Sequence, residues 1–137
     1  MSSLILYVFL TCSNFYLKPD DIISARPVLF GYHEPHLETL FKEVAETHGD
    51  FLIDIGANIG LSTIFSGQLF TEIHCVEPNK TLSKILDVNV ELAGLSKRTT
   101  IHEIGLGNEN KIEKLWIPRN NFGAAFIGMG NGYDGSN

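Results

Sequence analysis

The chain has 137 residues, of which 44% are hydrophobic and 19% are charged, a composition typical of one globular domain and not of a disordered or fibrous chain. Sixteen acidic residues against ten basic ones give a net charge of −6, which disfavours nucleic acid as a partner and favours a small molecule. Two cysteines, Cys12 and Cys75, are too few for a disulfide framework and lack zinc-ligand spacing. We therefore expect no metal and a reducing, cytoplasmic location.

Residues 4–10 form an apolar run of the kind that targeting segments contain. The first basic residue is Lys18, after the run, and polar residues 11–14 interrupt it well short of the roughly 20 apolar residues of a membrane span. We interpret the run as a strand that leads into the domain. A weak signal or anchor and a mis-set start remain alternatives, and no membrane association is expected.

The first helix is predicted from apolar residues that recur at helical spacing between Leu37 and Ala45. Pro35 falls in its first turn, a position that proline tolerates. The helix should end near His48, with Gly49 as a left-handed cap.

A short strand at residues 51–55 follows, and it is apolar at every position except Asp54. Such a run is typical of a parallel strand covered by helices on both faces. We therefore predict that this strand is central in its sheet.

The remaining elements alternate between helix and strand. They are a glycine loop at 56–60 with a helix at 61–69, a strand at 73–76, a helix at 82–93 closed by Gly94, a strand at 99–104, a turn at 107–110 and a hairpin strand at 112–117 ended by Pro118. This alternation predicts a doubly wound, mostly parallel α/β sheet. We divide the chain into a lead-in at residues 1–50 and a ligand-binding domain at 51–137.

Polar residues mark the ends of the first two predicted strands, where doubly wound sheets bind their ligands. Asp54 and the loop at 56–60 end the first strand, and a glycine loop at a helix start lets the backbone approach a ligand. Glu77 ends the second strand 21 residues after Gly56. This is near the spacing at which an acidic side chain accepts hydrogen bonds from a ribose diol, so the pattern predicts a nucleoside ligand.

The loop departs from the dinucleotide fingerprint because Asn58 stands between Gly56 and Gly60 where that fingerprint has a glycine. Asparagine tolerates a left-handed turn but keeps the backbone away from a pyrophosphate, which disfavours NAD and FAD. S-adenosylmethionine has no phosphate. Its ammonium and carboxylate groups can be met by Asp54, directly or through water, and by loop N–H groups.

These residues resemble the first two motifs of the FkbM-type methyltransferases, at residues 54–61 (DIGANIGL) and 76–79 (VEPN). The stretches 20–24 and 31–34 are similar to the lead-in of that family. Residues 103–108 (EIGLGN) resemble its third strand and the following turn.

The resemblance implies a class I, Rossmann-like methyltransferase fold with S-adenosylmethionine as the methyl donor and a hydroxyl of a sugar or secondary metabolite as the acceptor. The donor-binding residues that it implies are Asp54, Gly56, Ala57, Asn58, Gly60, Glu77, Pro78, Asn79, Gly105 and Leu106.

The resemblance weakens towards the end of the chain. Residues 121–125 are similar to a glycine-and-serine loop of the family, with alanine where serine is commoner, and the following Lys-Ile-Asp-Val-Glu-Gly-like strand has no counterpart. We therefore expect a fragment, truncated after the third strand and a hairpin, that holds the donor but lacks the acceptor side and does not transfer methyl groups by itself. The catalytic base stays open among His33, Glu34 and His102.

Each of these sequence features also has a simpler, purely structural interpretation. Asp54 and its loop can be a capped tight turn, Glu77 a solvated strand end, Cys75 a small buried hydrophobe, residues 32–36 a surface turn and residues 128–135 a glycine-rich tail. The alternative functions are a truncated nucleoside-binding module without activity and, less favoured, an NAD-dependent oxidoreductase. Self-association through an exposed sheet edge is also expected.

Overall fold

The computed structural model describes residues 15–17, 35–118 and 121–127. Its elements are α1 (Pro35–His48), β1 (Phe51–Ile55), α2 (Leu61–Ser66) with a 3-10 turn (Gly67–Leu69), β2 (Glu72–Val76), α3 (Lys80–Leu92), β3 (Thr99–His102), β4 (Leu115–Trp116), a second 3-10 turn (Phe122–Ala124) and β5 (Phe126–Ile127). The predictions for the apolar run at 4–10, the turn residues 31–34 and the tail 128–135 lie outside the described residues.

The main sheet of the described part has the strand order β1-β2-β3, and both neighbouring pairs are parallel. In register, Leu52 pairs with Ile73 and Asp54 pairs with Cys75. Helix α2 connects β1 to β2, and α3 connects β2 to β3. This confirms the predicted Rossmann-like α/β class, in which helical crossovers join parallel strands.

The hydrophobic core lies on one face of this sheet. Leu52, Ile73 and Cys75 point to that face, and Leu86 and Val90 of α3 pack against them. Each such side chain stabilises the fold by about 1.5–3 kcal/mol on burial. Helix α1 joins the same core, since the ring of Phe41 meets the ring of Phe70 edge to face, with centroids 6.2 Å apart.

The opposite face of the sheet is open in the described part of the chain. Phe51, Ile53 and Ile55 alternate onto it and are 47%, 53% and 65% exposed, beside the stacked rings of His74 and His102. The prediction of a central β1 covered on both faces is therefore wrong for the described residues. The reason is topological: right-handed crossovers that run from β1 to β2 to β3 in one direction place both helices on the same side.

Left-handed glycine caps are predicted at the ends of α1 and α3, and the structure confirms only the second. Gly94 adopts φ +70°, and the N–H groups of Gly94 and Leu95 donate to the carbonyls of Glu91 and Val90, which confirms the glycine cap. Gly49 is not among the residues with positive φ, so its predicted left-handed cap is wrong. A Cβ at Gly49 would lie 2.6 Å from the carbonyl oxygen of Ala45, so glycine is needed there for close backbone approach.

The third strand and the hairpin differ in detail from their predictions. β3 ends at His102, two residues earlier than predicted. The predicted hairpin strand is confirmed as β4, which pairs antiparallel with β5. β5 was not predicted, because two strand residues in a stretch rich in glycine and asparagine give no recognisable alternation.

Among the described helices, none combines the length and the apolar character needed to cross a bilayer.

The free edge of β1 generates a testable prediction. No described strand pairs with that edge, and β1 carries no lysine or proline that would block pairing. In antiparallel pairing of two copies centred on Ile53, Phe51 lies opposite Ile55 of the second copy on the apolar face. We therefore expect concentration-dependent dimers in sedimentation velocity.

Ile53→Lys should weaken this dimer at least tenfold, because it places a charge at the centre of the edge. Leu92→Lys on α3 is the matched control, since Leu92 is 52% exposed, as Ile53 is at 53%, and should dimerise like the wild type. A monomeric wild type, or equal effects of the two variants, would contradict the prediction.

Candidate functional site

The loop after β1 has the backbone conformation that its sequence predicts. Gly56, Asn58 and Gly60 have φ values of +77°, +55° and +87°. The side-chain oxygen of Asn58 accepts a hydrogen bond of 2.8 Å from the N–H of Ile59, which supports the left-handed conformation of an asparagine. The φ of Gly60 favours glycine, and a Cβ there would lie 2.5 Å from Leu86 Cδ1, so this buried side chain would have to shift.

Glu77 joins this loop to the end of β2. Its Oε2 accepts a 2.9 Å hydrogen bond from the N–H of Asn58, and its Oε1 accepts a 2.8 Å bond from the N–H of Asn79. The side chain is only 6% exposed, so Glu77 is not a solvated strand end. The N–H groups of Gly56 and Ala57 also donate to the carbonyl of Val76.

Asn89 of α3 holds the loop from the helix side. It is fully buried, and its Nδ2 donates to the carbonyl of Ile59 at 2.7 Å and to the carbonyl of Tyr16 at 3.0 Å. The N–H of Tyr16 donates in turn to Asn89 Oδ1. Helical spacing placed Asn89 on the inward face of α3, but a contact across 30 residues has no local signal.

Asn79 begins α3. Its Oδ1 accepts a 3.0 Å hydrogen bond from the N–H of Thr81, which makes it the N-cap. The side chain is 2% exposed, and its Nδ2 has no hydrogen-bond partner among the described residues. A buried donor without a partner beside Glu77 fits a site whose remaining contact is a ligand.

Asp54 lies below the loop and is bonded to α2. Thr63 Oγ1 donates to Asp54 Oδ2 at 2.6 Å, and Cys75 Sγ lies 3.2 Å from the same hydroxyl. Burial raises the pKa of Asp54, and the hydrogen bonds from Thr63 oppose this rise. Burial also raises the pKa of Cys75 to about 11, so this side chain remains a thiol and is the small buried residue predicted.

The loop after β3 comes close to the second strand end. A Cβ at Gly105 would lie 3.3 Å from Ile127 Cδ1 and 3.9 Å from Pro78 Cβ, whereas Leu106 is exposed. The hydroxyl of Ser83 on α3 donates to Glu103 at 3.0 Å and fixes the start of this loop. The structure thus brings Gly105 to Pro78, a proximity that local sequence does not reveal.

Of the candidate bases, His33 and Glu34 lie outside the described residues. His102 Nε2 forms a 2.8 Å hydrogen bond with His74 Nδ1 on the open sheet face, away from Asp54 and Thr63 on the covered face. No cluster of metal-ligating side chains occurs in the part of the chain that the structure covers.

Comparison with known proteins finds no matching family model and no matching curated protein. Partial similarity exists to solved structures. An O-methyltransferase from Bacillus cereus in complex with SAH is 18% identical with a TM-score of 0.48, and a putative O-methyltransferase from Klebsiella pneumoniae is 17% identical with a TM-score of 0.47. The similarity covers 73% and 74% of this chain and spans only 42% and 41% of those chains.

A SAM-dependent methyltransferase from Agrobacterium tumefaciens is 17% identical with a TM-score of 0.46, over 54% of this chain and 24% of that one.

The raised pKa of Asp54 predicts a pH-dependent effect on stability. Since the folded state binds the Asp54 proton more tightly than the unfolded state, stability falls as pH rises from the ordinary carboxyl pKa towards the folded one. Asp54→Asn removes the charge but keeps an acceptor for Thr63. We therefore expect it to raise the free energy of unfolding at pH 7 and to have less effect at pH 4.

Urea denaturation at both pH values measures this difference. Asp87→Asn, at an exposed position on α3, is the control and should show no such stabilisation. A less stable Asp54→Asn protein at pH 7 would show that the buried carboxylate stabilises the fold.

Proposed function

We propose that this chain binds S-adenosylmethionine and that it is part of a methyltransferase of the FkbM type, acting on a hydroxyl of a sugar or secondary metabolite in the cytoplasm. The observation that carries the proposal is the placement of Glu77, buried at the end of β2 and hydrogen-bonded to the glycine loop that follows β1. The sequence resemblance at residues 54–61 and 76–79 supports the choice of family.

The Glu77 carboxylate has hydrogen-bonding capacity left for a ribose diol. A carboxylate has about four acceptor positions, and the N–H groups of Asn58 and Asn79 use two of them, one on each oxygen. The two remaining positions match the two hydroxyl donors of a ribose diol. The amide of Asn79, which has no partner among the described residues, adds a donor beside that carboxylate.

The conformation of the loop favours a nucleoside ligand that carries no pyrophosphate. Asn58 occupies the middle position with its side chain bonded to the N–H of Ile59, so that group is not available to a phosphate. This arrangement favours S-adenosylmethionine over NAD, the cofactor of the alternative oxidoreductase function.

When bound, S-adenosylmethionine would supply a methyl group that the adjacent sulfonium makes electrophilic. This chain would bind the ribose through Glu77 and the ammonium through Asp54. The N–H groups of residues 56–60 all donate within the protein, so the expectation that they bind the donor's carboxylate is not supported. Transfer then requires an acceptor held about 3–3.5 Å from the methyl carbon and in line with the breaking bond.

The second candidate function is a nucleoside-binding module without activity. It is favoured by the absence, among the described residues, of a histidine or carboxylate on the covered face that is free to act as a base beside Asp54. A radiolabelled-donor assay with hydroxylated sugars and metabolites separates the two. Methyl incorporation above background supports the enzyme, and binding without incorporation supports the module.

The proposal predicts a preference for one ligand class. Titration calorimetry should show binding of S-adenosylhomocysteine and no detectable binding of NAD, because Asn58 keeps the loop from a pyrophosphate. Asn58→Gly should improve NAD binding if loop geometry is the cause. Tighter binding of NAD to the wild type would replace the methyltransferase proposal with the oxidoreductase one.

The proposal also predicts a specific loss on Glu77→Ala. Removing hydrogen bonds to a charged acceptor costs about 1.5–3 kcal/mol, or about 10- to 100-fold in affinity for S-adenosylhomocysteine. Glu91→Ala removes an exposed carboxylate of α3 and is the matched control. Unchanged affinity in Glu77→Ala would remove Glu77 from the site.

Because Glu77 also holds the loop, Glu77→Gln is a second variant. Its amide oxygen keeps one acceptor but loses the charge, so we expect an affinity between those of Glu77→Ala and the wild type. Circular dichroism confirms that each variant is folded before binding is compared.

A further inference from the structure

Thr63 lies at the centre of a buried polar chain that the proposed donor site does not by itself explain. It belongs to α2 and is completely buried. Its hydroxyl lies 2.6 Å from Asp54 Oδ2 and 3.2 Å from Cys75 Sγ. A core of this kind would be filled more simply by valine, which has the same shape without the hydroxyl.

The direction of this hydrogen-bond chain follows from its chemistry. An ionised carboxylate only accepts, so Thr63 gives its single hydroxyl hydrogen to Asp54. Cys75 remains a thiol because burial raises its pKa to about 11, and its S–H is then the donor to the Thr63 oxygen. The chain therefore runs from Cys75 through Thr63 to Asp54.

We propose that Thr63 is a positioning residue for the donor site, which holds Oδ2 of Asp54 against α2 and leaves Oδ1 to receive the donor's ammonium group. This inference rests on the proposed function, and it adds a residue that contacts no part of the donor itself. Orienting a carboxylate through a neighbouring hydroxyl is a common way to fix a charged group before the ligand arrives.

The surroundings of Asp54 make this hydrogen bond important. Burial raises the pKa of Asp54, and the hydroxyl and backbone N–H of Thr63 are the groups that oppose this effect. Cys75 faces Asp54 from β2 and is uncharged. Glu77 ends the same strand with its oxygens bonded to backbone N–H groups, and α2 contains no charged residue.

The helices packed on this face offer no alternative partner among the side chains that the structure describes. The titratable side chains of α1 and α3 whose burial is described are all exposed: His36, Lys42, Glu43, Glu46, His48, Lys80, Lys84, Asp87 and Glu91. Among the described side chains, Thr63 is therefore the one that stabilises the ionised form of Asp54 before a ligand binds.

The test compares Thr63→Val, which removes the hydroxyl and keeps the shape, with Thr63→Ser, which keeps the hydroxyl. Affinity for S-adenosylhomocysteine is measured by calorimetry between pH 5 and pH 8.5. We expect Thr63→Val to bind about tenfold more weakly at neutral pH, because a hydrogen bond to a charged group is lost. The loss should shrink as rising pH ionises Asp54, and Thr63→Ser should follow the wild type.

A second readout does not depend on the ligand. The titration of the Asp54 carboxyl carbon, followed by carbon-13 NMR in the free protein, should move to higher pH in Thr63→Val and not in Thr63→Ser. If Thr63→Val does not fold, Thr63→Ala removes the same hydroxyl without adding volume and takes its place. Cys75→Ala changes the far end of the hydrogen-bond chain, is the control, and should have a smaller effect than Thr63→Val.

The outcomes separate this inference from the proposed function. Wild-type and Thr63→Val proteins that bind with the same pH profile and titrate alike would overturn the role of Thr63 and leave the donor site intact. A wild type that does not bind S-adenosylhomocysteine would overturn the proposed function. The carbon-13 titration would then still decide whether Thr63 controls the ionisation of Asp54.

Discussion

The hydrogen bond between the Asn58 N–H and Glu77 Oε2 is the contact on which the candidate site depends. It joins residues 19 apart in the sequence, one in the loop after β1 and one directly after β2, and fixes a loop with three left-handed residues. A loop of this kind, held only by its own backbone, would lose more entropy on binding a ligand. Glu77 and Asn89, one at a strand end and one on a helix, instead order the loop before a ligand arrives.

The candidate site contains buried polar side chains, which a core selected only for stability would avoid. Asp54, Thr63 and Cys75 occupy the buried face between β1, β2 and α2, and Asn79 keeps an amide without a partner in the described structure. Burying polar groups costs free energy unless every one is bonded. Most of these groups lie where the strands end, which is the arrangement expected of a candidate site that exchanges some stability for binding. Ser66 of α2 is a further buried hydroxyl with no partner among the described residues.

The two faces of β1 have different surroundings because of the topology of the sheet. Leu52 and Asp54 face the helices, one packing in the core and the other entering the site, while Phe51, Ile53 and Ile55 face outwards. The all-apolar character of β1 predicted cover on both faces. The described crossovers cover one, because they move the chain in a single direction across the sheet. In the described part of the chain, the exposed apolar face of β1 therefore adjoins its unpaired edge.

The sequence by itself determined the order of the elements and the local geometry of the loop. Helical spacing predicted α1 and α3, Gly94 predicted the end of α3, and Asn58 predicted a left-handed turn, because these features depend on residues near one another in the chain. The spacing of Asp54 and Glu77 also placed both at strand ends, since parallel strands align their carboxyl ends.

Only the tertiary structure decided which groups meet. The bond from Thr63 to Asp54, the support of Ile59 by Asn89 and the approach of Gly105 to Pro78 each join different elements. The position of β1 at an edge of the described sheet and the conformation of Gly49 were likewise decided by the tertiary structure, not by local propensity. A periodic pattern shows that a side chain points inward, but its partner depends on the distances and angles between elements, which no local stretch of sequence encodes.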